Sequence, residues 1–488
     1  MGWYLGYIIV YFAAMFGIGF YYFFKVKHAD DYLIAGWNMG FWPIVGTIIS
    51  TWCGAAVFIG WVGMGFGVGL SGFFKFALPG IMFCIALIYF FAAPLRRQKL
   101  YTLADLFSER YGTKVGIIPS VLSAFVYSVP TLALQMVGMS TIWKVVFGLD
   151  IIYGIFLSFV LILGFTILGG LPATIITDAL QAIIIIVGIV MLLVASITYA
   201  GGLDSIFTTT PPEYLSPLGP FGLGEVSLYA LSVGPFYLVW QSTWQRIFAS
   251  KTESVAKKSG IVGFLICLGI SFIPFFIGMT AKGFLPADMN PDLIFSHITY
   301  QLLPPYLGGI IYVALLAALI TGADSFILQG SSNLTRDLYQ RLINPSADNK
   351  RMMFVSRLTV AIISVLGLIV SYKITNIVNM YQWALRLSAT TLVFPFLATM
   401  FWKRTTKNGV IVSMFSALVI TVIWPQFGTA IDQTLAGFAT SLIALVAVSL
   451  ATKHDPSEQV KAVYWEDLAT AETRGTVLTD EIDTGIQA

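Results

Sequence analysis

Charged residues are scarce in this chain. Asp, Glu, Lys and Arg make up only 10% of its 488 residues, whereas about 25% is usual in a soluble domain. This deficit excludes an ordinary water-soluble domain. The net charge of +3 is close to balance, so the composition gives no indication of a nucleic-acid partner.

Cysteine and histidine are also rare, with three residues of each. Cys53, Cys84 and Cys267 lie far apart in apolar runs, which argues against a metal cluster and against a disulfide scaffold. An intramembrane enzyme would need a His or metal cluster, a Ser–His pair or a phosphate loop, and none is recognisable. We therefore do not expect an enzyme.

Long apolar runs dominate the chain, which is 57% hydrophobic with a mean hydropathy of +0.84. A membrane-spanning helix needs about 20 such residues. The first run lacks a basic leader and a small-residue cleavage site, so we expect a retained span rather than a signal peptide. The sequence predicts an all-α polytopic membrane protein with thirteen spans, at 3–25, 40–70, 74–95, 115–147, 151–169, 174–200, 226–247, 258–281, 304–334, 352–372, 378–402, 407–424 and 432–451.

The basic residues predict an orientation. Most lysines and arginines fall in connectors on one side of the thirteen spans, and that side is expected to be cytoplasmic. The N-terminus is then outside the cell membrane, and the tail at 452–488 is cytoplasmic, with a short helix near 460–471. The outer connectors at 201–225 and 282–303 are open to two interpretations, as lids or as plain links.

Two spans carry signals for a break in mid-membrane. Span 2 contains Ser50–Ala56 followed by five glycines, and span 7 contains Gly234-Pro235. Proline removes a helix hydrogen bond, and glycine loosens the helix. Because the breaks are five spans apart, we predict inverted repeats at 40–200 and 226–402, with peripheral helices at 1–28 and 407–451. Breaks at matching positions indicate a midplane binding site, although glycines also serve close helix packing.

Span 9 is apolar yet places several polar groups on one helical face. Thr321, Asp324, Ser325 and Gln329 follow one another at helical spacing. Such groups are costly in hydrocarbon and usually face a bundle interior or a watery path. Hard oxygen ligands suit a small hard cation. The pattern therefore predicts ion-linked transport.

Several motifs in order along the chain resemble those of the sodium:solute symporter family. The family resemblance implies a five-plus-five inverted-repeat core, usually with thirteen spans, and sodium as the coupling ion. The matching segments are Asp31–Gly36, Thr166–Leu171 with Thr177, Asp178 and Gln181, Gln245-Arg246, and Ala317–Tyr339.

The resemblance implies a first sodium site between the break in span 2 and span 9. Its ligands would be the carbonyls of Ser50, Cys53 and Ala318, with the hydroxyl of Thr321. Gly322 departs from the family, which often has a second hydroxyl there. The site therefore lacks one ligand unless water or a carbonyl replaces it.

Some members of the family have a second sodium, which here would use Asp178, Thr321, Asp324 and Ser325. Each carboxylate has an alternative role. Asp178 is also placed to cap a helix, and Asp324 to form an ion pair with Arg386. Proton coupling through either carboxylate is a further alternative.

Aromatic and amide side chains near the breaks predict a solute pocket. A weaker resemblance to the choline-transporter branch, in Thr51-Trp52 with Gly54 and in Trp240-Gln241, favours an ammonium group on aromatic faces, which attract cations. The candidate residues are Trp52, Gly54, Tyr127, Trp240, Gln241 and Trp244. Core packing is the alternative for the tryptophans.

Arg386 is a basic residue within span 11, and a membrane arginine requires an anionic partner. The two candidates for this partner are Asp324 and a carboxylate of the substrate. The sequence therefore predicts a sodium symporter of a zwitterion or cation such as an amino acid, betaine or choline. A proton-coupled symporter and a solute sensor on the same fold are the alternatives.

Overall fold

The computed structural model describes residues 2–374 and 376–454, so the helix predicted near 460–471 lies outside the described residues. Helices and short connecting segments make up this described part. Within these residues, one isolated β-bridge joins Met39 to Ser250. The prediction of an all-α protein is confirmed.

Within the described residues, eleven helices are long and apolar enough to cross a membrane, and a bent pair adds a twelfth crossing. The bent pair, Phe41–Trp52 and Ala56–Val68, turns by 50°. The eleven helices are Gly2–Lys25, Phe73–Arg97, Thr113–Phe147, Ile151–Tyr199, Gly222–Phe248, Glu253–Ala281, Pro305–Ile343, Asn349–Ser371, Ile377–Phe401, Lys407–Phe427 and Gln433–Ala451.

The helix Ile151–Tyr199 is two spans in one. Its 49 residues would extend about 70 Å, more than twice the hydrocarbon thickness of a bilayer. It turns at Gly170, which has φ 58° and ψ −162°. A Cβ at this position would lie 2.5 Å from the Tyr32 ring, so only glycine fits. Dividing the helix here gives thirteen crossings, as predicted, and we keep the span numbers 1–13.

Short elements connect the spans. The short α-helices are Ala29–Ile34, Ala104–Tyr111, Leu203–Thr209, Pro212–Leu215 and Ile294–Leu302. Tighter 3₁₀ turns occur at Ala35–Trp37, Gly234–Leu238, Pro291–Leu293 and Trp424–Phe427. Wider π turns lie inside spans at Ala56–Gly60, Phe73–Ala77, Leu122–Ser128 and Asn333–Ile343.

The connectors gather at two ends of the bundle. At one end, which we call the basic end, Met39 exchanges backbone hydrogen bonds with Ala249 and Lys251, both 2.9 Å, and Arg341 pairs with Asp105 at 2.7 Å. At the opposite end, the Leu70 amide donates to the Tyr214 carbonyl at 2.8 Å. The connector at 201–225 therefore packs back onto the end of span 2.

Span 9 is the centre of the bundle. Every residue from 311 to 335 is buried, and the span packs against spans 1, 2, 4, 7 and 10 and against the long helix that forms spans 5 and 6. Other spans instead expose large apolar side chains, among them Phe24 in span 1, Phe90 in span 3 and Phe415 in span 12. Polar groups on span 9 thus lie inside the bundle, where membrane proteins keep them. The repeat boundaries at 40–200 and 226–402 stay predictions.

Candidate functional site: a broken helix facing span 9

Span 2 is interrupted where the sequence predicts it. The first half ends at Trp52 and the second begins at Ala56. A break leaves backbone amides of the second half without helical partners. The Ala55 amide donates instead to Gln135 Oε1 of span 4, at 2.9 Å. Gln135, which the sequence analysis did not select, therefore caps the second half of the broken helix.

Three oxygens of the predicted first sodium site lie together at this break. Thr321 Oγ1 is 2.9 Å from the Ser50 carbonyl oxygen and 2.9 Å from the Ala318 carbonyl oxygen. Cys53 lies at the break itself, with φ −80° and ψ 43°. Span 9 and the end of the first half-helix are thus joined through one hydroxyl.

Two glycines make room for the Gln135 amide. A Cβ on Gly54 would lie 3.1 Å from both terminal atoms of Gln135, and a Cβ on Gly322 would lie 3.0 Å from Gln135 Cδ and 3.2 Å from its Oε1. The side-chain carbonyl of Gln135 therefore occupies space beside the position where a hydroxyl is missing. The glycine at 322 and the glutamine at 135 are sterically matched.

The predicted second sodium site contains a residue that the sequence analysis named only as part of a motif. Arg246 Nη2 lies 3.5 Å from Asp178 Oδ2 and also donates to Ser325 Oγ. Thr47 Oγ1 donates to Asp178 Oδ2 at 2.5 Å and accepts from Arg246 Nε at 2.7 Å. Asp178, Arg246, Thr47 and Ser325 form what we call the guanidinium cluster.

The two predicted carboxylates have different surroundings. Asp178 lies roughly two helical turns past Gly170, within the continuing helix, so the alternative of a helix cap does not hold. Asp324 accepts a hydrogen bond from Thr166 Oγ1 of span 5. Among the described residues, the acidic partner of Arg386 is Asp432, at 3.2 Å. The predicted pair of Asp324 with Arg386 is therefore wrong.

The reason is the position of Arg386 in the bundle. Its side chain and that of Asp432 are each 24% exposed, whereas Asp324 is buried in the centre. Asp432 also caps the start of span 13, accepting from the Thr434 amide at 2.8 Å. Arg386 thus joins span 11 to a peripheral helix instead of reaching the site.

A small cavity with several aromatic side chains in its lining adjoins the break. Trp52 is its central ring, with ring centroids 5.9 Å from Trp240 and 6.0 Å from Trp61. Trp52 Nε1 donates to Ser271 Oγ at 2.8 Å, which fixes the indole. The cavity is lined by Thr51, Trp52, Gly54, Ala56, Val57, Trp61, Gln135, Trp240, Phe326 and Tyr381.

The break in span 7 positions Trp240. Span 7 changes from an α-helix to a 3₁₀ turn at Gly234–Leu238, and a new helix begins at Gln241. Trp240 Nε1 lies near the Tyr127 hydroxyl, and the Trp240 ring lines the cavity. Trp240 and Trp52, from the two broken helices, thus face the same cavity.

Three predicted pocket residues lie behind the cavity wall. Tyr127 packs against Phe326, with ring centroids 5.7 Å apart. Gln241 bonds to Asn333 at 2.9 Å, and Trp244 Nε1 donates to the Tyr237 carbonyl at 3.3 Å. These residues are placed to support the lining rather than to touch a solute. Conversely, Trp61, Phe326 and Tyr381 line the cavity without having been selected from the sequence.

Comparison with known proteins agrees with this geometry. The model of the sodium:solute symporter family matches residues 32–416. Among curated proteins, the chain is 28% identical to the osmoregulated proline transporter OpuE of Bacillus subtilis, over 91% of this chain and 94% of that protein. It is 26% identical to the high-affinity proline transporter PutP of Bacillus subtilis, over 91% and 97%. It is 23% identical to the sodium/glucose cotransporter of Vibrio parahaemolyticus, over 87% and 85%.

Solved structures show the same fold. A Na⁺-coupled sialic acid symporter in a substrate-bound, outward-open state superposes with a TM-score of 0.81 at 19% identity, covering 94% of this chain and 99% of that one. A nucleobase-cation-symport-1 family transporter in a closed conformation gives a TM-score of 0.62 at 14% identity, covering 89% and 97%. The predicted transporter fold with broken helices is confirmed.

The family match covers most of the chain, and its description supports sodium as the coupling ion that the sequence analysis predicts. This family consists of integral membrane transporters, which agrees with the many membrane-spanning helices. The protein belongs to the sodium:solute symporter family.

Proposed function

We propose that this protein couples the entry of sodium to the uptake of proline or a closely similar zwitterionic amino acid. The observation that carries the proposal is the cluster of oxygens around Thr321, directly beside an aromatic cavity. Thr51 and Gly54 line that cavity, and Ser50 and Cys53 flank the pair Thr51-Trp52 at the break. One bound ion would therefore lie next to the bound solute.

The sodium ligands proposed are the carbonyls of Ser50, Cys53 and Ala318 and the hydroxyl of Thr321. Neutral carbonyl and hydroxyl oxygens are suitable ligands for a small hard cation. The Thr321 hydroxyl lies within hydrogen-bond distance of two of these carbonyl oxygens, those of Ser50 and Ala318. On binding an ion, this hydroxyl would turn a lone pair towards the cation, and the carbonyls would accept the ion in place of the proton.

Gln135 supplies the ligand that Gly322 cannot provide. Its Oε1 lies near the positions that side chains on Gly54 and Gly322 would occupy, and it already accepts from the Ala55 amide at 2.9 Å. An amide oxygen has two lone pairs, so it can hold both this amide and a cation. The missing hydroxyl thus has a substitute from span 4.

The cavity favours a zwitterion over a cation or a sugar. Among the described residues that line it, none is acidic or basic. A cation such as choline would find aromatic faces but no counter-charge, whereas a zwitterion brings its own. The carboxylate would lie towards the sodium ion and the ammonium towards Trp52 and Trp240, since aromatic faces attract cations. A sugar would need more polar partners than Thr51, Gln135 and Tyr381 offer.

The names of the relatives agree with this chemistry. OpuE and PutP are named as proline transporters, and a Staphylococcus aureus relative is named as a sodium/proline symporter. Proline is a compact zwitterion whose ring carbons suit an apolar lining. Its secondary ammonium also suits the aromatic rings of Trp52 and Trp240 in the cavity lining.

Transport would proceed by alternating access in the cell membrane. Half-helices that meet at a break can move relative to one another while the site between them is kept. The basic end of the bundle faces the cytoplasm, because basic connectors are retained there. The N-terminus is then outside and the C-terminus inside.

The test is the thermal stability of the purified protein with a solute panel, in sodium buffer and in potassium buffer. The panel contains proline, glycine betaine, choline and glucose. A ligand of the folded state raises the unfolding temperature by mass action. We expect proline to stabilise the protein in sodium and not in potassium. Equal stabilisation in both buffers, or stabilisation by choline or glucose alone, would contradict the proposal.

A further inference from the structure

Arg357 of span 10 differs from the other arginines in the part of the chain that the structure describes. Its Nε is buried without a hydrogen bond to any described residue, and its guanidinium lies over the Phe23 ring of span 1, with Cζ 4.5 Å from the centroid. Arg357 thus has donors left for an acceptor from outside the chain. The other described arginines each pair with an oxygen, and they are Arg96, Arg97, Arg110, Arg246, Arg336, Arg341, Arg351, Arg386 and Arg404.

This arginine lies on the outer surface of the bundle, near the start of its span. The flanking side chains of Phe354 and Leu358 are 66% and 46% exposed, so this face of Asn349–Ser371 meets lipid. Arg357 is eight residues past Asn349, about 12 Å along the helix. Because helical side chains lean towards the N-terminus of their helix, the guanidinium leans towards the basic end, where lipid headgroups lie.

The end of span 1 is fixed against the start of span 10. Asn349 Oδ1 accepts from the Ala29 amide at 2.8 Å, and Asn349 Nδ2 donates to the Lys27 carbonyl at 2.6 Å. Phe23 belongs to the last two turns of span 1 and forms one wall around Arg357. The guanidinium is therefore held where two spans meet, and not on an isolated helix surface.

The charges around this junction are positive on balance. Lys350 lies two helical turns before Arg357 on the same face and is exposed. Asp348 already caps span 10 by accepting from the Arg351 amide at 3.0 Å. An anion would therefore be attracted to the junction. Its basic residues are Lys25, Lys27, Lys350, Arg351 and Arg357, and its acidic residues are Asp30, Asp31 and Asp348.

An aliphatic stripe continues from Arg357 along span 10. Leu358, Ile362, Val365 and Ile369 are all exposed, and their spacings of four, three and four residues place them on one face of the helix. A free anion would gain nothing from this stripe, whereas an acyl chain would lie along it. The stripe and the guanidinium together match a molecule with a charged head and an apolar tail.

We propose that Arg357 binds the phosphate of an anionic phospholipid in the cytoplasmic leaflet, with an acyl chain along the stripe on span 10. A guanidinium fork fits two phosphate oxygens at once, and the cytoplasmic leaflet carries anionic lipids. The bound phosphate would join span 10 to the peripheral span 1. The inference uses the proposed orientation of the bundle but does not depend on the identity of the solute or the coupling ion.

The test measures the thermal stability of the purified full-length protein in neutral detergent. Dioleoyl phosphatidylglycerol, dioleoyl phosphatidylcholine and water-soluble glycerol phosphate are titrated separately. A ligand of the folded state raises the unfolding temperature. We expect phosphatidylglycerol to act at a concentration roughly fivefold lower than phosphatidylcholine, and glycerol phosphate to have no effect over the same range.

Two variants should remove this preference for phosphatidylglycerol. Arg357→Gln removes the charge. Phe354→Glu keeps the arginine and gives it a carboxylate one helical turn away, which competes with the lipid phosphate. Arg351→Gln is the matched control, because it removes the same charge from the same end of span 10 but its Nε donates to the Tyr339 hydroxyl at 2.8 Å. The control should keep the preference.

Several outcomes would overturn the proposal. Equal stabilisation by the two lipids would exclude an anionic-lipid site, and stabilisation by glycerol phosphate at the same concentration would indicate a site for free anions instead. Retention of the preference in Arg357→Gln, or its loss in Arg351→Gln as well, would exclude Arg357 as the specific contact. If Arg357→Gln does not fold, Phe354→Glu decides, because Phe354 is exposed and its replacement leaves the core intact.

Discussion

Two polar clusters lie within one turn of each other on span 9, and they differ in charge. The cluster at Thr321 consists of neutral oxygens around a single hydroxyl. The guanidinium cluster at Ser325 already contains a carboxylate and a positive side chain. In the guanidinium cluster, Arg246 already bonds to Thr47, Ser325 and one oxygen of Asp178, whereas Asp178 Oδ1 has no hydrogen-bond partner among the described residues. Ligand type alone therefore does not identify an ion site, and the charges already present have to be counted with it.

The largest effect is expected from Thr321→Val, which keeps the shape of the side chain and removes the hydroxyl. The variant loses one proposed sodium ligand and the link to the Ser50 carbonyl. Losing a buried polar partner costs about 1–3 kcal/mol, so the apparent sodium affinity should fall roughly 5–150-fold.

Sodium titration of proline uptake in proteoliposomes measures this change. Thr359→Val is the control, because Thr359 bonds to Ser331 and Thr335 between spans 9 and 10, away from the break. If Thr321→Val kept the wild-type sodium affinity, the neutral cluster at Thr321 would not be the sodium site.

The steric match of Gly322 with Gln135 predicts the next effect. Gly322→Ser supplies the hydroxyl usual in the family but pushes on the Gln135 amide. Overpacking costs about 1–3 kcal/mol, and the sodium affinity should fall roughly tenfold. Adding Gln135→Ala relieves the contact and leaves the new hydroxyl as a ligand.

The double variant Gly322→Ser with Gln135→Ala should therefore bind sodium more tightly than Gly322→Ser alone. The same sodium titration of proline uptake measures the difference. Additive losses in the double variant would mean that the two residues do not share one position in the site.

Aromatic contact with the solute predicts a smaller loss. Trp240→Ala and Trp52→Ala should each weaken proline binding, because a cation on an aromatic face gains about 0.5–2 kcal/mol, equivalent to roughly 2–30-fold. Trp244 lies behind the cavity wall, so Trp244→Phe should change the stability of the protein more than its proline affinity. Isothermal titration with proline in sodium buffer compares the three variants. Wild-type affinity in both alanine variants would exclude the tryptophans as solute contacts.

The smallest effect is expected at Arg386. Its pair with Asp432 is part-exposed, and such pairs contribute about 0–1 kcal/mol. Arg386→Gln should leave the proline affinity within about threefold and lower the unfolding temperature slightly, with Asp432→Asn giving a similar shift. A loss of proline binding in Arg386→Gln, but not in Asp432→Asn, would restore Arg386 as a carboxylate partner.

The spans and their breaks were predictable because hydropathy and Gly-Pro signals act within one segment of chain. The break at Gly234-Pro235 and the polar face of span 9 required no knowledge of neighbours. The oxygens around Thr321 also lie together, as the family resemblance implies.

The contacts of Arg246 and Gln135 were not predictable in this way. Arg246 meets partners from spans 2, 6 and 9, and Gln135 fits between glycines of spans 2 and 9. Such contacts depend on how several helices pack together. The hydrophobic periodicity of one helix does not indicate which side chains of other helices contact it. The partner of Arg386 was wrongly predicted for the same reason, since peripheral span 13 supplies it.

The number of sodium ions bound with each solute molecule sets a limit on how steeply a symporter can concentrate its solute. A tenfold sodium gradient with 100 mV across the membrane supplies about 3.7 kcal/mol per ion. One ion per neutral zwitterion can sustain an accumulation of roughly 500-fold, whereas two ions would sustain more than about 10⁵-fold. With sodium bound only at the Thr321 cluster, as proposed, each transport cycle would use less of the sodium gradient and the protein would give up steeper accumulation.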